Sequence, residues 1–180
     1  MNRNEPVFSS TDVIKLYEAT KNQLQIDIWI DGGWGVDALL GEQTRMHQDL
    51  DIVIQEKDLE KFCAFLTIQG YAEIPQDDSC AWNFVLSDEK GHKVDIHVIH
   101  FDSQGNGIYG PAERGIFYPT EALLGVGQIE ETAVKCLTAE YQVESHRGYA
   151  LKEKDFKDVF SLCDQFNVPL PEEYRVDSAN

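Results

Sequence analysis

Two short segments constrain this chain most. "DLDIVIQ" (49–55) and "KVDIHVI" (93–99) both alternate polar and apolar residues with a period of two. That spacing sends successive side chains to opposite faces of a β-strand. Leu50, Ile52 and Ile54 then share one face, as do Val94, Ile96 and Val98, and each set asks for a core. The opposite faces carry Asp49 with Asp51, and Asp95 with His97. Asp is depleted in strands, and like charges on one face repel. If the two strands are neighbours, three carboxylates converge, which is costly unless cations neutralise them. Such a pair of strands implies a sheet with one dry face and one face built for positive charge.

A second feature lies upstream. "IDIWI" (26–30) reads as a strand entering a tight turn at Asp31-Gly32-Gly33, and "WGVDALLG" (34–41) as a short helix stopped by Gly41. Paired glycines between a strand and a helix let backbone N–H groups approach an anion, and the helix dipole adds a few tenths to about 1 kcal/mol. Gly32 and Gly33 are therefore candidate phosphate contacts, and Arg45 could add a charge-assisted one. Mg²⁺ suits the carboxylates: it is a hard ion that binds through a few of them plus substrate phosphates. Gly-Gly after a strand is weak evidence alone. Followed sixteen residues after Gly33 by Asp-x-Asp, with a third Asp on a later strand, it is far more specific.

The remaining pattern alternates helices and strands. "SSTDVIKLYEATKNQ" (9–23) reads as an amphipathic helix capped by Ser10 or Thr11, and 56–71 as a helix closed by Gly70. Residues 81–101 read as a hairpin turning near Lys90-Gly91. Residues 102–114 read as a loop, and 121–137 as a turn at Gly125–Gly127 followed by a strand. Thr138 is expected to cap a helix over 139–146. A last helix follows over 152–168, with Phe156, Val159, Phe160 and Cys163 inward, and the tail 169–180 is expected to be extended or disordered. The fold class is α+β: a mixed β-sheet flanked by helices (1–137) with a small C-terminal helical segment (138–180) packed on it.

Charge excludes some partners. Against 15 basic residues stand 32 acidic ones, for a net charge of −17. Such a surface repels polynucleotides and anionic membranes and draws small cations. The four cysteines have no metal-binding spacing, and no run approaches a membrane span, so a cytoplasmic, reducing setting is expected.

"WIDGGWGVDALLGEQTRMHQDLDI" (29–52), "VDIHVI" (94–99) and "SHRGYALKEKDFKDVFSLC" (145–163) together resemble the lincosamide nucleotidyltransferases and, more distantly, the aminoglycoside 2''-nucleotidyltransferases. Both belong to the DNA polymerase β-like nucleotidyltransferase superfamily. The resemblance spans roughly residues 25 to 166 and is weakest over 71–90 and 101–130, where acceptor contacts are expected. It implies transfer of a nucleoside monophosphate from a nucleoside triphosphate, by default ATP, to a hydroxyl of a small cationic antibiotic, with release of pyrophosphate. Asp49 and Asp51 would hold Mg²⁺. Asp95 would take the acceptor proton or share a second metal. Gly32, Gly33 and Arg45 would meet the triphosphate.

His47, His97, Asp37, His146 and Tyr149 are candidates for supporting or substrate contacts. Lys154 and Lys157 are weaker candidates for the triphosphate, and Arg147 for the nucleotide border. Trp34 reads as core, while Trp82 and Tyr109 are open between core and ring stacking. Two other functions remain in view at this level: a nucleotidyltransferase that modifies a protein, and a nucleotide-binding module without catalysis. Acceptor identity and oligomeric state are not legible in the residues.

Overall fold

A computed structural model describes residues 7–175. Nine strands form a single mixed sheet. In chain order they are β1 (Ile28–Asp31), β2 (Asp49–Gln55), β3 (Ala72–Ile74), β4 (Asn83–Ser87), β5 (Lys93–Phe101), β6 (Gly107–Tyr109), β7 (Phe117–Tyr118), β8 (Gly125–Ile129) and β9 (Thr132–Cys136). The main order is β3-β4-β5-β2-β1-β9-β8, with β6 and β7 continuing from β5. Five α-helices flank it: α1 (Ser10–Ala19), α2 (Gly32–Leu40), α3 (Glu56–Ile68), α4 (Ala139–Ser145) and α5 (Glu153–Phe166).

The two patterned segments are neighbours. β2 and β5 pair in parallel, with Leu50 opposite Val94, Asp51 opposite Asp95 and Ile52 opposite Ile96. Antiparallel to β2 on its other side runs β1, with Asp31 opposite Asp51. Ile30, Ile52, Ile54, Val94 and Ile96 are fully buried, in a core that also holds Val13 of α1 and Phe62 and Leu66 of α3. Each such side chain contributes about 1.5–3 kcal/mol of apolar burial, an upper bound. A second apolar cluster (Val36, Ala139, Val143, Val159, Leu162, Tyr174) ties α4 and α5 to α2.

Several expectations need correction. The cap of α1 is Ser9, not Ser10 or Thr11; its Oγ accepts from Asp12 N at 3.2 Å. Gly125 and Gly127 lie inside β8, and the turn falls at Glu130-Glu131. Their lack of a side chain serves close packing: a Cβ on Gly127 would lie 2.4 Å from Ala38 O, and one on Gly125 2.4 Å from Cys136 O. The 102–114 segment is not all loop, because β6 forms there against β5. Phe160 is 41% exposed, while Asp155 and Asp158 of the same helix are buried. The tail does not stay extended: Glu172–Tyr174 make a 3₁₀ turn that buries Tyr174 completely. The part of that tail beyond Arg175 lies outside the described residues. No helix among the described residues is long and apolar enough to cross a membrane.

Candidate active site

The register brings Asp31, Asp51 and Asp95 into one row across three adjacent strands, with Asp49 two residues along β2 on the same face. Behind the row, the same sheet face turns apolar and carries Trp29, Val53, Ile99, Tyr118, Leu123 and Leu137. The carboxylates thus stand at the boundary between a dry cluster and an open cleft.

Their crowding changes their acidity. Burial, reinforced by the charge of Asp49, pushes the Asp51 carboxyl up to about 7. Burial also raises Asp95, and Oδ1 of Asp95 is buried without a hydrogen-bond partner. Facing the row is His97, with Nδ1 3.5 Å from Asp31 Oδ2 and Nε2 3.7 Å from Asp95 Oδ1. Its Nδ1 also lies 3.2 Å from the Tyr118 hydroxyl. Burial opposes the imidazolium, but the bond to Asp31 and the charges of Asp31, Asp51 and Asp95 outweigh it and lift His97 to about 9. Within the row itself His97 is the one cation set against four carboxyl groups, which leaves the row an appetite for positive charge.

The Gly-Gly turn shapes the other wall. Gly32 has φ +56, and a Cβ there would lie 2.1 Å from Asp51 Oδ2; glycine is what lets that carboxylate lie against the backbone. A Cβ on Gly33 would meet His47 Nδ1 at 2.4 Å and Arg45 Nη2 at 2.5 Å. Asp31 caps α2 by accepting from Gly32 N at 2.7 Å, so that N–H is already engaged. An anion at this helix end would meet the N–H groups that follow it.

The candidate residues divide. Asp31, Gly32, Gly33, Arg45, Asp49, Asp51, His97, His146, Tyr149 and Lys154 line one cleft of ≈ 290 Å³. Arg45 reaches it while paired to the buried Asp158 at 3.0 Å, so its charge is partly committed. His47 and Asp37 do not line it. They form a sealed pair, Nε2 of His47 to Oδ2 of Asp37, each only 2% exposed. Asp37 also accepts from Thr44 N at 3.1 Å and Thr44 Oγ1 at 2.7 Å. Their place is to hold the 41–48 loop behind Gly33. Lys157 braces the same loop by donating to Thr44 O at 2.6 Å, away from the cleft, whereas Lys154 faces into it. Arg147 turns outward to Glu144 and Glu173. Trp34 is core, packed on His47.

Asp31 is the residue that sequence reasoning passed over. It was visible only as a neighbour of the glycines, because strand register is not written in the chain. Asp158 had no local signal at all, since its partner is 113 positions away.

Among the described residues no three Asp, Glu, His or Cys side chains converge into a preformed metal cage. A hard divalent ion needs only one or two carboxylates here, the rest of its shell coming from substrate phosphates and water. Asp49 and Asp51, with the Asp95 oxygen that no hydrogen bond satisfies beside them, fit that demand.

A strand–glycine turn–helix unit set against Asp-x-Asp and a third strand carboxylate is the arrangement that the sequence resemblance to the nucleotidyltransferases implies. A family model described as aminoglycoside-2''-adenylyltransferase matches residues 12–162, and the chain belongs to that family. It is 28% identical over 153 residues to a lincosamide resistance protein of Staphylococcus haemolyticus, covering 83% of this chain and 89% of the relative. Its structure is similar to the lincosamide antibiotic adenylyltransferase LnuA with lincomycin bound, with a TM-score of 0.76, 25% identity, and coverage of 87% of this chain and 98% of that one. The likeness to ANT(2'')-Ia in complex with adenylyl-2''-tobramycin is one of fold: TM-score 0.66, 20% identity, 87% and 88% covered.

Proposed function

We propose that this chain transfers AMP from ATP to a hydroxyl of a small cationic antibiotic, of lincosamide or aminoglycoside type, and so inactivates it. The observation that carries the proposal is the Asp31–Asp51–Asp95 row beside Gly32-Gly33, in a chain of an adenylyltransferase family. Mg²⁺ held by Asp49 and Asp51 would neutralise the phosphate charge that builds during transfer. The roles of the chain's own residues follow from their positions. Asp95 accepts the proton of the acceptor hydroxyl. That oxygen then bonds to the α-phosphorus as the bond to the β-phosphate oxygen breaks, and pyrophosphate leaves. The first turn of α2, Lys154 and Arg45 hold the triphosphate in line, which is most of what such a reaction asks of a protein. His97 keeps the row from full repulsion while the cleft is empty of substrate.

The relative named for lincosamide resistance and the aminoglycoside-2''-adenylyltransferase family support the acceptor class, and the acidic composition fits a cationic one. The test is incubation with Mg²⁺, each of the four nucleoside triphosphates, and lincomycin or tobramycin, read by mass spectrometry. The expected product carries one added AMP. Label appearing on a protein instead, or nucleotide binding with no product across the panel, would overturn the proposal.

A further inference from the structure

Arg45 is a long side chain at the mouth of the cleft, and something must hold it there. Its Nη2 lies 3.0 Å from Asp158 Oδ2, and a Cβ on Gly33 would come within 2.5 Å of the same atom. The guanidinium is therefore fixed between α5 and the first turn of α2. The pairing uses a single nitrogen. Nε is buried with no hydrogen-bond partner, so the fork is not closed on the carboxylate as a bidentate pair would be. Arg45 lines the cleft in this paired position, with 24% of its side chain exposed.

Asp158 is built to stay. Its side chain is 2% exposed, and it directly precedes Val159, which with Leu162 is fully buried in the cluster that ties α5 to α2 and α4. The start of α5 is closed by Asp155 Oδ2, which accepts from Lys152 N at 2.7 Å. Withdrawing the guanidinium would strand a carboxylate in that packing, which is costly, so the pair holds in the substrate-free protein. Lys154, one helical turn earlier on the same face, lines the same cleft. One face of α5 thus reaches the glycine side of the cleft twice, directly by an ammonium and indirectly through Arg45.

We infer that Asp158 is a positioning residue for the nucleotide: it sets the Arg45 guanidinium over the first turn of α2 with donors left to meet the triphosphate. The inference rests on the proposed function, and it adds the residue that makes Arg45 ready. An arginine already held in place gives up less rotamer freedom on binding than a free one, and that difference appears as affinity. The rival reading, in which Asp158 parks Arg45 away from substrate, predicts the opposite sign. Removing a negative charge beside an anion site should by itself tighten binding.

The probe is ATP with Mg²⁺, measured by calorimetry without acceptor. Asp158→Asn should weaken binding about tenfold, although it removes a negative charge. KM for ATP should rise by the same factor, while kcat and KM for the acceptor stay within about twofold. In an Arg45→Ala background the same substitution should change ATP affinity by less than about twofold, because the residue it acts through is gone. If Asp158→Asn does not fold, Asp158→Glu takes its place: its extra methylene displaces the carboxylate, and it should weaken ATP binding with Arg45 present and not without it. Unchanged or tighter binding with Arg45 present, or equal losses in both backgrounds, overturns the inference, while wild-type turnover leaves the functional proposal standing. Wild type that binds ATP but modifies no acceptor overturns the functional proposal, and the calorimetric comparison then decides the inference. Wild type that does not bind ATP overturns both.

Discussion

The molecule contains two histidine–aspartate neighbourhoods that use the same chemistry to opposite ends. His47 and Asp37 are both sealed, and Asp37 fills its remaining capacity with Thr44 N and Thr44 Oγ1. His97 meets Asp31 and Asp95 only at 3.5 and 3.7 Å, in a row where carboxylates outnumber it. The first pair is complete and holds a loop. The second is short of positive charge and waits for more. What separates support from chemistry here is whether the charges around a group already balance, since both histidines are largely buried.

Removing a group from each side should break different things. The largest expected effect is on the open side. Asp95→Asn should slow pyrophosphate release by about 10³-fold, equivalent to about 4 kcal/mol of barrier. Its melting temperature should not fall, because one like charge has gone from a crowded row. A variant that melts much earlier, or retains full turnover, would mean that Asp95 belongs with the sealed pair.

On the closed side, His47→Ala should cost about 3 kcal/mol of stability in urea denaturation, because Asp37 loses a buried partner and Trp34 loses a packing surface. Stability within about 0.5 kcal/mol of wild type would contradict the structural role.

The smallest effect separates the two by pH. The folded protein holds the His97 proton up to about 9, against 6.5 for an ordinary histidine. Its stabilisation is complete below about 6.5 and is lost as pH rises through 9. Asp51, lifted to about 7, has already withdrawn its own contribution by then, between about 4 and 7. The substrate-free protein should therefore melt about 6–11 °C lower at pH 9.5 than at pH 6.5. In His97→Gln that slope should flatten, while mutation of His47 should leave it intact. A slope that survives His97→Gln would place the titrating group elsewhere.

Much of the open side was legible in the chain. β2 and β5 announce themselves by strict alternation, and their polar positions are the carboxylates of the row. Gly41 stops α2 as expected, in a left-handed conformation. What was hidden depended on pairing. Asp31 joins the row only through its register with Asp51, and the short strands β3, β6 and β7 exist because a neighbour offers hydrogen bonds. Gly125 and Gly127 imitate a turn, yet they serve close approach of β8 to the backbones of β9 and α2. The Asp37–His47 pair links a helix to a loop ten positions on, a distance that no periodicity encodes.

The grip of α5 on the 41–48 loop bears on how the molecule is born. Arg45 to Asp158 and Thr44 to Lys157 are each 113 positions apart. A ribosome adding about 5–20 residues each second needs about 6–23 seconds to travel that distance. Through that interval the nascent chain already carries both Asp49 and Asp51 but lacks the anchor that steadies the wall behind Gly33. The carboxylates of the row are made early, and the clasp that steadies the wall beside them comes 113 positions later, so the two sides of the cleft meet in one late step rather than growing together with the chain.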